Sequence, residues 1–391
     1  MQPLAAACWQ NLMAMRCPLS NWLAPQTKHK KVSFMAVFSA PSFDQHELVA
    51  FCEDRSTGLR AIIAVHSSQL GPAVGGLRMY PYVDDAAALD DVLRLSRGMT
   101  YKSALAGLPV GGGKAVIIGD PSRDKNAALL QAMAGFIDSL GGRYVTAEDS
   151  GTTVADMAQI AKHTCYVSGL DSHGGGDPSP YTAYGVYCGL RAALRQQRGS
   201  DNLDRVRVAI QGAGAVGSHL ARRLIEDGAT VLVADVNPTL LTPLQALGAE
   251  VVEPASILSQ PVDVLAPCAM GAVLNAETVQ QVRASIIAGA ANNQLATPAQ
   301  AQQLADRGVL YVPDFVINAG GIIAVYHQRQ HGGALSADAE STLLQHVEGI
   351  GDKLGLIFKR AAQQLCPPYM VAEAMAEEVL LAQGRQAATE N

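Results

Sequence analysis

No two cysteines in this chain are spaced as C-x-x-C. The seven present (Cys8, Cys17, Cys52, Cys165, Cys188, Cys268 and Cys366) are scattered, so neither a disulfide framework nor a zinc site is indicated, and no metal is expected. A reducing compartment, the cytoplasm, is the simpler reading. Also missing is any run near the roughly 20 uninterrupted apolar residues of a membrane helix, so no membrane partner is expected. Charge is sparse: Asp, Glu, Lys and Arg make up 16% of the chain against 49% hydrophobic residues, which excludes a disordered protein and favours extensive buried surface. A net charge of −6 without a long basic run argues against nucleic acid as a partner. What remains is a chain of 391 residues, long enough for two domains that each bury a core.

Acidic residues are absent before Asp44, and Lys28, Lys30 and Lys31 come just ahead of Met35. The apolar residues of Met1 to Trp22 are interrupted by Gln10, Asn11 and Arg16 and lack a basic flank in front. That pattern fits a dispensable extension, residues 1–35, better than a signal or transit peptide.

The chain is organised around Tyr101 to Lys114, YKSALAGLPVGGGK, where two lysines bracket a run of glycine and small apolar residues whose composition suits a buried turn. The β-branched run after Lys114 reads as an interior strand, which puts Lys114 at the strand's mouth, where sites in α/β folds gather. GGGK is not a nucleotide triphosphate loop, because position 108 is leucine instead of glycine and position 115 is alanine instead of Ser or Thr.

From Met35 onward, strand-like and helix-like segments alternate. Leu59 to His66 reads as a strand and Gly71 to Met79 as a glycine-rich loop. Asp84 or Asp85 caps a helix with Leu89, Val92, Leu93 and Ser96 on one face, stopping at Gly98. A helix follows from about Asn126 to Leu140, then a strand from Arg143 to Ala147 that ends in Glu148 and Asp149. Asp149 fits a crevice-facing loop or, equally, a helix N-terminal charge. Ser172 to Pro180 is the best candidate for a hinge. Behind it stand a strand (Val206 to Ile210), the turn Gly212-Ala213-Gly214-Ala215-Val216-Gly217, a helix (Ser218 to Asp227) and a strand (Thr230 to Ala234) ending in Asp235. A G-x-G-x-x-G between strand and helix, with an acidic residue about 20 positions on, marks dinucleotide binding: the glycines admit a pyrophosphate at the helix N-terminus, and Asp235 accepts from the ribose. Further strands at Asp263 to Ala266, Ser285 to Ala290 and Leu310 to Pro313 complete a doubly wound sheet, with Asn292 and Asn293 at one strand end. The tail from about Asp352 reads as helical and is expected to pack back on the first domain.

GPAVGGLRM, RGMTYKSALAGLPVGGGKAVIIGDP, GGRYVTAEDSGT, GDPSPYTAYGVY, QGAGAVG, LAPCAMGAVLN, AGAANNQL and PDFVINAGG together resemble the amino-acid dehydrogenase family of glutamate, leucine, phenylalanine and valine dehydrogenases, and match the leucine branch most closely in order and spacing. The resemblance runs from about Ser39 to Ile323, with a thinner echo at Cys366 to Glu378. It implies an α/β fold of two domains with the active-site cleft between them. Residues 36–172, joined by 350–391, would bind substrate and oligomerise, and 173–349 would form a Rossmann-type NAD-binding domain.

By the same resemblance, Lys102 would hold the substrate α-carboxylate, Lys114 would be the catalytic base, and Asp149 would handle protons at the amino nitrogen. Thr182, Asn292 and Asn293 would border nicotinamide and substrate, with Gly212 to Gly217 and Asp235 on the rest of the NAD. Val74, Gly75, Gly76, Ala147, Ile322 and Val325 would line the side-chain pocket. The reaction would be reversible oxidative deamination of a branched aliphatic L-amino acid to the 2-oxo acid and ammonium, by a homo-oligomer. The chemistry of the residues agrees. Hydride leaves Cα, water attacks the iminium, and the base taking its proton can be lysine only if its pKa falls well below about 10.4. Burial and a second ammonium both push that way.

In the glutamate branch a lysine stands where this chain has Val74, and without it a γ-carboxylate would be desolvated unpaired. Departures from the leucine branch are Ala324 in place of an asparagine, Tyr181 in place of a smaller residue, Val74 in place of leucine, and a shortened Asn237 to Gly248. They leave phenylalanine as the alternative substrate. A catalytically dead NAD-binding sensor, and a hydroxy-acid dehydrogenase using a histidine such as His173, are the other classes of function considered.

Overall fold

A computed structural model describes residues 37–170, 177–269, 271–331 and 335–389. The extension 1–35, His173 and most of the expected hinge lie outside the described residues.

The first sheet contains β1 (Leu48–Asp54), β2 (Leu59–Ser67), β3 (Ala73–Tyr80), β4 (Gly111–Ile118) and β5 (Tyr144–Glu148), in the order β1-β2-β4-β3-β5. β1 and β4 run antiparallel to β2, while β3 is parallel to both β4 and β5. Side chains alternate between faces with period two. Leu59, Ile63, Leu77 and Ile117 form one core with Met133 and Ile137 of α2 (Ala127–Ser139) and Met157 of α3 (Val154–Ile160). Ile62, Ala64 and Val116 form another with Leu89, Val92 and Leu93 of α1 (Asp85–Leu105). Lys114 pairs in register with Ala64, and so belongs to the face covered by α1.

Three expectations fail here, each through glycine. Gly71 to Met79 is not a loop but, from Ala73 on, β3 itself, and the triple glycine is not a turn but the start of β4. These glycines permit close approach: a Cβ at Gly112 would lie 2.0 Å from the Thr100 amide nitrogen and 2.2 Å from its Oγ1, so Thr100 of α1 rests directly on the β4 backbone. Nor does α1 stop at Gly98. An interior glycine costs about 1 kcal/mol, outweighed here because the next turns bury Tyr101, Ala104 and Leu105. The left-handed glycine after the helix end is Gly107, at φ +68°.

The second sheet is wholly parallel: β6 (Arg207–Gln211), β7 (Thr230–Ala234), β8 (Glu250–Val251), β9 (Val264–Pro267), β10 (Ile286–Ile287) and β11 (Leu310–Tyr311), in the order β11-β10-β9-β6-β7-β8. Strand order reverses between β6 and β9, where ligands bind in open sheets of this kind. Around it lie α4 (Ser179–Arg198), α5 (Ala215–Glu226), α6 (Thr242–Ala246), α7 (Thr278–Gln281), α8 (Ala299–Asp306), α9 (Asp314–Ile317) and α10 (Gly320–His331), followed by α11 (Ala337–Gln364) and α12 (Pro368–Thr389). The tail is helical, and its second helix packs back on the first half as expected, whereas its first helix does not. α11 starts well before Asp352 and packs on α4; α12 returns to α1, with Glu373 on Arg97 at 3.1 Å and Glu377 accepting from Tyr101 at 3.0 Å. No helix among the described residues is long and apolar enough to cross a membrane.

Candidate active site

Lys102 sits in the last turn of α1 and Lys114 mid-way along β4, not at its mouth; both are buried, at 8% and 4% exposure. Both line a cavity of about 420 Å³, together with Asn292, Asn293, Asp314 and Phe315. No histidine among the described residues lines it. Lys102 Nζ donates to Asn292 Oδ1 at 3.0 Å, and the Asn318 amide donates to the same oxygen at 2.9 Å. Lys114 Nζ lies 3.1 Å from Asp149 Oδ2, an oxygen that also accepts from Arg78 Nε at 2.8 Å.

Burial decides the electrostatics. It pushes Lys102 down to about 8, against the pull of the Asp314 carboxylate and with the push of Lys114. Burial lowers Lys114 as well; Asp149 opposes the shift and Arg78 reinforces it. For Asp149, burial alone would raise the carboxyl, yet Lys114 and Arg78 outweigh it and hold the group below its ordinary value. Asp314 is raised by burial in spite of hydrogen bonds from the Gln294 and Phe315 amides and the attraction of Lys102.

The other expected residues divide into two groups. Val74 pairs with Gly112 and Val145 in the first sheet, and Ala147 with Gly76. A Cβ at Gly75 would lie 1.7 Å from the Gly113 carbonyl oxygen, and one at Gly76 would meet Asp149 Cβ at 2.7 Å and Lys114 Nζ at 3.2 Å. Ile322 and Val325 are half-buried on α10, beside Gly321, whose added Cβ would stand 2.6 Å from Thr182 Oγ1. Val74, Gly75, Gly76, Ala147, Thr182, Ile322 and Val325 are not among the lining of the cavity that holds the lysines.

The glycine fingerprint links β6 to α5. Its helix begins at Ala215, within the fingerprint and three residues ahead of expectation, with Gly214 as N-cap and no side chain capping it. Gly212 has φ +101°, and a Cβ at Gly217 would fall 2.0 Å from the Gly212 carbonyl oxygen. The uncapped first-turn amides, among them Val216, suit a pyrophosphate. Asp235 accepts from the amides of Ala213 at 2.7 Å and Asn237 at 2.8 Å, which fixes its carboxylate at the end of β7.

Sequence reasoning passed over Arg78, Asp91, Asp314 and Asn318 as site residues. Arg78 was hidden by taking its strand for a loop; as a strand, Gly76 and Arg78 share a face. Asp314 and Asn318 stand four apart on one helical turn, and both brace the asparagine loop.

Two family models match the chain. Residues 46–166 match the Glu/Leu/Phe/Val dehydrogenase dimerisation domain, and residues 174–245 and 241–379 match glutamate/leucine/phenylalanine/valine dehydrogenase. This chain belongs to the Glu/Leu/Phe/Val dehydrogenase family. Leucine dehydrogenase of Geobacillus stearothermophilus is 46% identical over 347 residues, 88% of this chain and 93% of that protein. Valine dehydrogenase of Streptomyces albus is 46% identical over 339 residues, 85% and 92% respectively. The crystal structure of L-tryptophan dehydrogenase from Nostoc punctiforme superposes with a TM-score of 0.71 at 43% identity, covering 87% of this chain and 97% of that one. The Glu/Leu/Phe/Val member described here is thus an amino-acid dehydrogenase that uses a nicotinamide cofactor, with the two-part α/β fold expected from its sequence.

Proposed function

We propose that this dehydrogenase deaminates a branched aliphatic L-amino acid (leucine, valine or isoleucine) with NAD, giving the 2-oxo acid and ammonium. The observation that carries the reading is the ion pair of buried Lys114 with half-buried Asp149, together with a second buried lysine, Lys102, that lines the same cavity as Lys114. Lys102 binds the α-carboxylate. Lys114, whose ammonium is disfavoured by burial, takes a proton from the attacking water. Asp149 then relays protons at the amino nitrogen. Asn292, Asn293 and Thr182 orient the reacting groups. NAD, when bound, supplies the hydride acceptor; Gly212, Ala213, Gly214, Ala215, Val216 and Gly217 cradle its pyrophosphate and Asp235 its ribose. Val74, Gly75, Gly76, Ala147, Ile322 and Val325 form an apolar slot for the substrate side chain.

In the same reading, residues 36–172 with 350–391 bind substrate and oligomerise, residues 173–349 bind NAD, and the protein works as a cytoplasmic homo-oligomer. The test is kcat/KM over a panel of L-amino acids at fixed NAD. Leucine, valine or isoleucine should lead, because each methylene in such a slot is worth about 1 to 3 kcal/mol. Glutamate as best substrate would sink the argument from Val74, and phenylalanine ahead by tenfold or more would reassign the substrate.

A further inference from the structure

Arg78 stands on β3 with one limb of its guanidinium on each of two carboxylates. Its Nε donates to Asp149 Oδ2 at 2.8 Å and its terminal nitrogen to Asp91 Oδ2 at 2.9 Å. Asp91 lies on α1, and the same oxygen accepts from the Tyr82 hydroxyl at 2.5 Å. Neither carboxylate is gripped in the usual two-pronged way; the guanidinium bridges the strand, the loop after β5 and the helix that carries Lys102. All of this is enclosed: the side chains of Arg78, Asp149 and Lys114 are 19%, 15% and 5% exposed. The Asp149 main chain is fixed separately, its amide donating to Thr152 Oγ1 at 3.1 Å.

We propose that Arg78 is the positioning residue of the Lys114–Asp149 pair, holding one edge of the Asp149 carboxylate against Lys114 and preventing that carboxylate from serving Lys114 alone. The proposal rests on the reading of Lys114 as the base. The geometry supports it because a single oxygen, Asp149 Oδ2, is shared between the two cations. A carboxylate given wholly to Lys114 would stabilise its ammonium and keep it from accepting a proton.

The groups facing Lys114 are Asp149 after β5, Arg78 on β3, and Asp91 and Lys102 on α1. Tyr82 and Tyr144 flank the carboxylates, and Asp314 faces Lys102. Arg78 spans the Asp149 and Asp91 carboxylates while Lys102 faces Asp314, so without Arg78 the first two carboxylates would be left to Lys114. Burial disfavours the Arg78 cation, but its two carboxylates more than offset that, so Arg78 stays charged throughout.

The experiment is the pH profile of kcat and kcat/KM for deamination in Arg78→Gln, Arg78→Lys and Asp91→Asn, with NADH affinity measured alongside. Losing the cation raises Lys114 directly and also returns Asp149 to it. The ascending limb of the Arg78→Gln profile should therefore move to higher pH by about one to two units. kcat measured below that limb should fall tenfold or more. In Arg78→Lys, which keeps the charge, the limb should stay in place with a smaller fall in kcat. Asp91→Asn keeps Arg78 and tests the bridge if Arg78→Gln does not fold; a lower kcat is expected with a limb that does not rise, because the lost carboxylate had favoured the Lys114 ammonium, and a limb moved to higher pH there would overturn the proposal. NADH affinity should be unchanged in all three. A wild-type limb in Arg78→Gln overturns the proposal, as does the same limb shift in Arg78→Lys as in Arg78→Gln. Lys114→Ala separates the two levels: turnover retained there rejects the base itself, whereas a dead Lys114→Ala beside a wild-type profile in Arg78→Gln rejects only the role of Arg78.

Discussion

Lys102 Nζ and Asn292 Oδ1 meet at 3.0 Å although 190 positions separate them in the chain. One sits on the helix against the first sheet, the other in the loop beyond β10 of the second, so the bond closes the cavity between the two halves. The Asn318 amide holds the same Asn292 oxygen from behind, leaving Lys102 pointed into the space it shares with Lys114.

Replacing each lysine should therefore have a different kinetic effect. Lys114→Ala is expected to abolish turnover while NADH affinity stays nearly intact. Lys102→Ala is expected to act mainly on KM for the amino acid, because a carboxylate partner is present in ground and transition states alike. Steady-state kinetics with NADH titration checks both, and loss of cofactor affinity in both variants would make the lysines structural.

Lys102 also predicts a pH dependence. Only its ammonium form grips a carboxylate, and burial brings its titration down to about 8 in the free site. Affinity of the NADH complex for a 2-oxo acid should consequently weaken as pH rises through about 8. Dissociation constants that stay flat from about pH 7 to 10, a range reaching the ordinary lysine value, would contradict this.

Gly76→Ala tests how closely the pair is fitted. The added methyl would stand 2.7 Å from Asp149 Cβ and 3.2 Å from Lys114 Nζ, with the Glu148 carbonyl oxygen also at 2.7 Å. kcat should fall by roughly two orders of magnitude, as expected when catalytic groups are displaced by about 1 Å. Cofactor affinity should hold, since the fingerprint lies on the other sheet. A variant of normal kcat would show that the Lys114–Asp149 contact is dispensable.

Much of this was legible from the sequence, and the failures share one cause. Strands rich in Val and Ile were recognised, as was the fingerprint, because apolar periodicity and a glycine turn before a helix are local signals. β3 and the start of β4 were not, since in Gly75, Gly76 and Gly112 the glycine serves a neighbour that is remote in sequence and reads locally as a turn. Missing β3 as a strand hid Arg78, whose partners Asp91 and Asp149 stand 13 and 71 positions away. α1 passed Gly98 for the same reason: burial of its last turns is tertiary information.

For the cofactor, kcat/KM with NAD should exceed that with NADP, because the Asp235 carboxylate, pinned by two amides, would face a 2′-phosphate. Asp235→Asn keeps an acceptor oxygen but removes the charge, and should narrow the preference by about tenfold or more, as the loss of roughly 1.4 kcal/mol of discrimination implies. Equal or better use of NADP by the unaltered protein would refute the assignment.

The backbone contact of Gly112 with Thr100 acts as a gauge for the chemistry. Lys102 follows Thr100 by two residues and Lys114 follows Gly112 by two, so both ammonium groups are measured from one main-chain origin. Exchanges in the proposed slot at Ile322 or Val325, on α10 of the other half, fall away from that contact. Substrate preference can thus change in that slot while the two lysines keep their common origin.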